Sequence, residues 1–283
     1  MKKRIVAVFL AGVMASALAA GTVQAEELQG EVYVFIAASL SNAMEEIQKN
    51  FQSQYPDVEI LYNADSSGTL QTQIEEGARC DLFFSAAAKQ MDALVEGGFA
   101  EEESVVNLLE NKVVLIKPAG GETAVTGFDN ITDAANLALA GESVPVGQYA
   151  REIFTNMGIM DQVEQMEINE GKNVTEVLAA VSEGSNEVGI VYATDAASVA
   201  DQVEIIAEAP ADALQTPVLY PVGLITDAEA SEEETKATEA FLAYLQTDEA
   251  LAVFEDYGFS PYTDEALKEA EEESAEEEEA AEE

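Results

Sequence analysis

The sequence has no histidine, no tryptophan, a single cysteine, and only 12 lysines and arginines against 56 aspartates and glutamates in 283 residues. Without histidine there is no Ser-His-Asp or Cys-His nucleophile system, no histidine-ligated zinc and no imidazole general base. One cysteine, Cys80, excludes an internal disulfide, a thiolate metal cage and a redox pair. It lies deep in the chain, far from any site of N-terminal lipid attachment, and its expected role is that of a small buried hydrophobe. A formal net charge of −44 makes nucleic acid and anionic membrane poor partners. Carboxylate chemistry, oxygen-ligated metals and binding without reaction survive these exclusions. The acidic residues are spread over helix faces and form no Asp-x-Asp-x-Asp-Gly loop, so no bare-cation site is expected.

Long apolar runs are scarce as well. The longest follows Met1-Lys2-Lys3-Arg4, extends from Ile5 to about Ala20, and gives way to the small-residue pattern Val23-Gln24-Ala25. This reads as a secretory signal peptide over residues 1–25, and no later run is long enough to span a membrane. The mature chain is expected to begin near Glu26 and to be periplasmic or secreted. At the other end, residues 264–283 are almost wholly Glu and Ala with Lys268 as the one basic residue, which reads as an acidic disordered tail.

Between these ends, short apolar runs alternate with amphipathic stretches. Strands are predicted at Val32–Ala37, Val58–Tyr62 and Leu82–Ser85, with helices at Ser41–Phe51, Thr69–Glu76 and Ala88–Val95. A second series begins at Val113–Ile116. It continues with a helix near Asp129–Leu139, a short strand at Ser143–Pro145, helices at Tyr149–Met157 and Val174–Glu183, and strands at Val188–Tyr192 and Val203–Ala207. A strand at Leu219–Ile225 and helices at Glu232–Gln246 and Asp248–Tyr257 follow. This alternation predicts α/β architecture with mostly parallel sheets flanked by helices. Two lobes are expected, 26–110 with 221–263 and 111–220, joined by two crossovers that form a hinge over a ligand cleft.

Ser39 ends the apolar run Val32–Ala38 where a helical pattern starts, and Ser66-Ser67-Gly68-Thr69 repeats the arrangement after the next strand. A strand that turns into a helix at a serine aims a hydroxyl and free backbone N–H groups at one point, the local geometry of an anion site. Val144–Ala150 and Asn173-Val174, followed by Gly189–Ala196, have the same character. Taken singly, Ser and Asn at such places are ordinary N-caps. Asp81 and Asp195 read as caps or turns, Met44 and Met91 as core, and Tyr149 equally as core or cleft wall.

Over Glu31 to about Tyr262 the chain resembles the periplasmic molybdate-binding proteins, the substrate-binding components of molybdate ABC transporters. The resemblance rests on Ala37-Ala38-Ser39-Leu40-Ser41-Asn42-Ala43-Met44, Ser67-Gly68-Thr69-Leu70, Asp81-Leu82-Phe83-Phe84-Ser85-Ala86, Val144-Pro145-Val146-Gly147-Gln148-Tyr149-Ala150 and Gly189-Ile190-Val191-Tyr192. It implies a two-lobe periplasmic binding protein fold, type II-like, which is not an enzyme and has no cofactor. The ligand is molybdate or tungstate, with molybdenum held as the oxyanion by hydroxyls of Ser39, Ser67 and Tyr192 and backbone N–H groups of Ser39, Ser67, Val146 and Val174. It further implies delivery by a monomer to a permease and its ATPase. Val146 stands where the family often has alanine, Thr175 where it has a basic residue, and Ala87 where it has an acidic one. The alternatives are the same fold with sulfate or thiosulfate, and, more remotely, a serine hydrolase working without histidine.

Overall fold

A computed structural model describes residues 28–226 and 230–262. The expected leader at 1–25 and tail at 264–283 lie outside them. Eleven strands and nine α-helices build two sheets among the described residues. The strands are β1 Gly30–Ala37, β2 Val58–Asp65, β3 Leu82–Phe84, β4 Val106–Asn111, β5 Val113–Pro118, β6 Asn136–Ala140, β7 Glu167–Gly171, β8 Val188–Tyr192, β9 Val203–Glu208, β10 Val218–Leu224 and β11 Ser260–Pro261. The helices are α1 Ser41–Gln54, α2 Ser67–Glu75, α3 Ala88–Glu96, α4 Pro145–Asn156, α5 Met160–Val163, α6 Val174–Ser182, α7 Ala193–Ser198, α8 Glu232–Leu245 and α9 Asp248–Asp256. No helix among the described residues is long and apolar enough to cross a membrane.

The first sheet has the order β11-β4-β10-β3-β1-β2 and the second β7-β6-β8-β5-β9. Helices pack on both, giving the expected two-lobe α/β fold, but the sheets are mixed rather than mostly parallel. The parallel pairs are β1 with β2 and β3, and β6 with β7 and β8. The antiparallel pairs involve the strands that carry the chain between sheets. β4 leaves the first sheet and β5 joins the second after Lys112 alone, while β10 returns to lie antiparallel to both β3 and β4. A strand that arrives from the other lobe has no crossover helix to turn it parallel, so it enters the sheet in the opposite sense.

Burial explains where the elements form. β1 is apolar on both faces, as a central strand covered by helices on each side must be. Helix α1 buries Ala43, Met44, Ile47 and Phe51, one stripe at helical spacing. Phe51 meets Phe241 and Tyr244 of α8, and Phe254 of α9 meets Phe84 of β3, so the C-terminal helices return to the first sheet. Cys80 is 2% exposed, and burial pushes its thiol up, which keeps it unreactive. Asp81 accepts the Tyr33 N–H at 2.7 Å, a tie between chain segments.

Two expectations fail in the second lobe. The helix predicted near Asp129–Leu139 is a 3-10 segment, Phe128–Asp133, followed by strand β6, and the strand predicted at Ser143–Pro145 is the approach to α4. Asn136-Leu137-Ala138-Leu139-Ala140 favours helix by intrinsic propensity, but the last four residues are buried between β7 and β8, and tertiary pairing overrides the propensity. The polar strand β7 shows neither alternation nor an apolar run, so sequence pattern gave it no signal.

Asp195 acts as the expected cap: its Oδ2 accepts the Tyr192 N–H at 3.1 Å, where α7 begins. Burial pushes its carboxyl up to about 7, against the lowering effect of that hydrogen bond. From about pH 4, the ordinary carboxylate range, to about pH 7, the unfolded chain ionises this group while the folded chain keeps it protonated. The group therefore costs stability progressively as pH rises through that window. Asp195→Asn keeps an acceptor oxygen for Tyr192 and cannot ionise. Its melting temperature relative to the parent is expected to rise between pH 4.5 and pH 8 in thermal denaturation; a constant difference would show that Asp195 is ionised throughout.

Candidate functional site

Strand register brings the expected donors together. β1 and β2 pair in parallel from Gly30↔Val58 to Ala37↔Asp65, so both end at one sheet edge, where the 3-10 turn Ala38–Leu40 and helix α2 start. In the second sheet β6 and β7 end together at Ala140↔Gly171, ahead of α4 and α6, and β8 ends beside them at Tyr192. Each helix start lies just beyond the carboxyl end of a parallel strand, the place where open α/β sheets bind ligands.

The capping pattern decides which N–H groups are free. Ser66 caps α2, its side chain accepting Thr69 N–H at 3.2 Å, and Asn173 caps α6, accepting Glu176 N–H at 3.0 Å. The cap role therefore falls on Ser66 and Asn173, and the residues that follow them, Ser67 and Val174, open the helices with first-turn N–H groups that no helical carbonyl can reach. In α4 the first residue is Pro145, which has no N–H, so Val146 supplies the first donor. Gly147 lets this helix sit directly on the end of β6: a Cβ there would overlap the carbonyl oxygens of Ala140 and Gly141.

Each hydroxyl has a partner inside the protein, and the bonds differ in whether they use its proton. Ser67, fully buried, accepts Ala86 N–H at 2.9 Å through its Oγ. Ser39 Oγ lies 3.0 Å from Tyr220 Oη. Tyr192 Oη donates to the Ala86 carbonyl at a long 3.4 Å, and its ring meets Tyr220 edge to face at 5.6 Å. Burial drives the Tyr192 phenol well above its ordinary pKa, so it remains a donor at any physiological pH. The partners of the serine hydroxyls are a phenol and a backbone amide, and neither is a general base.

Ser39, Ser67, Val146, Val174 and Tyr192 all line one void between the two sheets. The centre of a water-sized sphere can range over only about 10 Å³ there, and no charged side chain forms its wall. A space this small admits a single small ion or molecule and nothing of nucleotide or peptide size. A wider groove of about 500 Å³ opens beside Ser41, Thr194 and Phe259, but the carboxyl groups of Asp195, Glu255 and Asp256 line it, which makes it a poor place for an anion. Tyr149 is buried and stays off the void wall. Met44 and Met91 are core residues, as expected. The described residues contain no cluster of three metal-ligating side chains.

The lobes touch across the void through Tyr192 to Ala86, Asn173 Nδ2 to Asp65 Oδ1 at 3.2 Å, and Gln90 Nε2 to Gln148 Oε1 at 3.2 Å. Gly68 lies so close to Ser143 of the second lobe that a Cβ would overlap the Ser143 carbonyl oxygen. Sequence reading did not single out Ala86, Gly68 or Tyr220. Gly68 and Ala86 lay inside quoted motifs, the Ser66–Thr69 cluster and the Asp81–Ala86 segment, but Ala86 acts through its backbone and Tyr220 through a partner 181 residues away.

Residues 32–260 match the family described as bacterial extracellular solute-binding protein. YvgL of Bacillus subtilis, named as a candidate ABC transporter substrate-binding lipoprotein, is 39% identical over 89% of this chain and 97% of its own length. The molybdate-binding protein ModA of Haemophilus influenzae is 37% identical over 81% of this chain and 90% of its own. Among solved structures, the substrate-binding domain of a candidate molybdenum ABC transporter from Clostridium difficile superposes with a TM-score of 0.62 at 33% identity, covering 82% of this chain and 99% of that one. With the matched family spanning both sheets and the helix starts between them, the chain belongs to the bacterial extracellular solute-binding proteins.

Proposed function

We propose that this protein captures molybdate, or its near-equal in size tungstate, between its lobes and delivers it to the permease and ATPase of an ABC importer. The observation that carries the reading is the convergence of Ser39, Ser67, Val146, Val174 and Tyr192 on one uncharged void. A fully deprotonated tetrahedral dianion offers acceptors only, and a wall of hydroxyl and amide donors matches it. Monohydrogen phosphate must donate a proton and finds no carboxylate on that wall to receive it.

Relatives named as molybdate-binding proteins support the choice of ligand. Hydrogen bonds to a charged group contribute on the order of 1.5 to 3 kcal/mol each, and nanomolar affinity corresponds to about 12 kcal/mol. Six or seven such bonds reach that range without a lysine or arginine. Sulfate and thiosulfate are the competing ligands of the same fold. The protein acts as a monomer outside the cytoplasm, exported by the leader at 1–25. The lobes divide as 26–110 with 221–263 and 111–220, and the chain changes sheet close to these bounds, at Lys112 and between Glu208 and Val218, with Asn111 and residues 218–220 still on the first sheet.

Isothermal titration of the mature protein tests the reading. One-to-one binding of molybdate and tungstate, undisturbed by excess sulfate or phosphate, is expected; tighter binding of sulfate would transfer the site to that ligand. Ser67→Ala and Tyr192→Phe each remove one donor to the dianion and should weaken molybdate binding by about tenfold or more; variants that bind as the parent does would place the ligand elsewhere. Gly68→Ala puts a methyl group where the second lobe must close. It should weaken binding while leaving the melting temperature of the ligand-free protein unchanged or slightly raised, since alanine favours helix; unaltered affinity would mean that the ligand is held without this contact.

A further inference from the structure

The heavy atoms leave open which hydroxyl donates between Ser39 Oγ and Tyr220 Oη, 3.0 Å apart, but the groups behind Tyr220 decide it. Asn111 ends β4, at the point where the chain leaves the first sheet. The Lys112 N–H, which can only donate, lies 2.8 Å from one end of the Asn111 amide, so that end is the oxygen, Oδ1. The other end is then Nδ2, and it lies 2.9 Å from Thr194 Oγ1 and 3.2 Å from Tyr220 Oη. With one hydrogen for each, Asn111 donates to both. Tyr220, fully buried, accepts from Asn111 and has its own proton left for Ser39. Ser39 Oγ then accepts this hydrogen bond and has its own hydrogen left for the void it lines.

We infer that Asn111 is a positioning residue for the ligand site: through Tyr220 it sets the direction of the hydrogen-bond chain so that Ser39 faces the void as a donor. The inference rests on the oxyanion reading of Ser39 and adds a residue that touches no ligand. Its chemical consequence is a sign. Were the chain reversed, Ser39 would donate to Tyr220 and present lone pairs to an anion that has only lone pairs of its own. An acceptor-only ligand would then meet repulsion where it now meets a donor, and a ligand that carries a proton would be favoured.

Two measurements test this. Neutron diffraction from deuterium-exchanged crystals reads the proton and needs no ligand. A deuteron bonded to Tyr220 Oη and aimed at Ser39 Oγ is expected; one bonded to Ser39 and aimed at Tyr220 overturns the inference. Titration with molybdate supplies the consequence. Asn111→Asp cannot donate to Tyr220 and should weaken binding by about tenfold or more, with Tyr220→Phe weakening it less. In the Tyr220→Phe background the Asp substitution should cost much less than it does alone, because the chain it reverses is gone. An equal cost in both backgrounds would mean that the added charge or a structural change acts without the relay, and would overturn the inference. Failure of the parent protein to bind molybdate or tungstate would instead defeat the oxyanion reading, with the neutron result still deciding the relay.

Discussion

Helix starts that cannot satisfy their own N–H groups are the constraint on which the rest of this structure depends. At Ser39, Ser67, Val146 and Val174 the backbone begins a helical turn just past the end of a parallel strand, and the aligned ends of the paired strands force these beginnings to face one another. Buried donors without acceptors are costly. Caps relieve part of the problem through Ser66 and Asn173, but those caps serve N–H groups further along α2 and α6. The remaining donors share one small space, where a single multivalent acceptor can satisfy several at once.

This resolves an apparent conflict between a strongly acidic chain and an anionic ligand. Charges on the surface act across solvent, where at about 0.15 M salt the Debye length is roughly 8 Å, whereas the void wall consists of backbone, hydroxyls and short apolar side chains. Selectivity then comes from the unpaired state of each donor rather than from net charge. A lysine or arginine in the wall would attract every anion alike, while a wall of oriented neutral donors distinguishes anions by whether they must donate in return. Most acidic residues face solvent, Asp81 is buried against the Tyr33 N–H, and Asp195, whose N–H partner Tyr192 lines the void, is held partly protonated by its own burial.

In the first lobe β1, β2, β3, β10 and the five helices were legible, because central strands are continuous apolar runs and their helices are amphipathic, whereas β4 and β11 were not predicted. The five candidate site residues were legible through the resemblance and through the repeated strand-to-helix turn, since both are local patterns. Long-range pairing was not legible. The mixed character of the sheets follows from strands that arrive out of the opposite lobe, and β6 was hidden behind the helical propensity of its Leu and Ala residues. The boundary of α4 mattered most: a helix predicted from Tyr149 puts Val146 outside it, whereas a start at Pro145 makes Val146 the first donor. The partner of Ser39, Tyr220, lies on β10 and is itself bonded by Asn111 of β4, and no local pattern links an asparagine and a tyrosine 109 residues apart.

The contacts across the cleft also say what holds it closed. Beside the crossover Asn111 of β4 bonds Thr194 of α7 at 2.9 Å, but the three side-chain bonds that bridge the cleft away from it are 3.2, 3.2 and 3.4 Å long, at or beyond the usual range, while bonds that tie a side chain to its own lobe, such as Tyr33 N to Asp81 and Ala86 N to Ser67, are 2.7 and 2.9 Å. The ion pairs between Arg79 and Glu234, Lys117 and Glu204, and Arg151 and Glu170 each stay on one side of the cleft. Closure is therefore weakly held by the protein itself, and a ligand that bonds to donors from both lobes supplies the difference in free energy between open and closed forms. A capture protein needs this balance, because a cleft that closed tightly on its own would admit nothing and one that never closed would give a permease no liganded shape to distinguish.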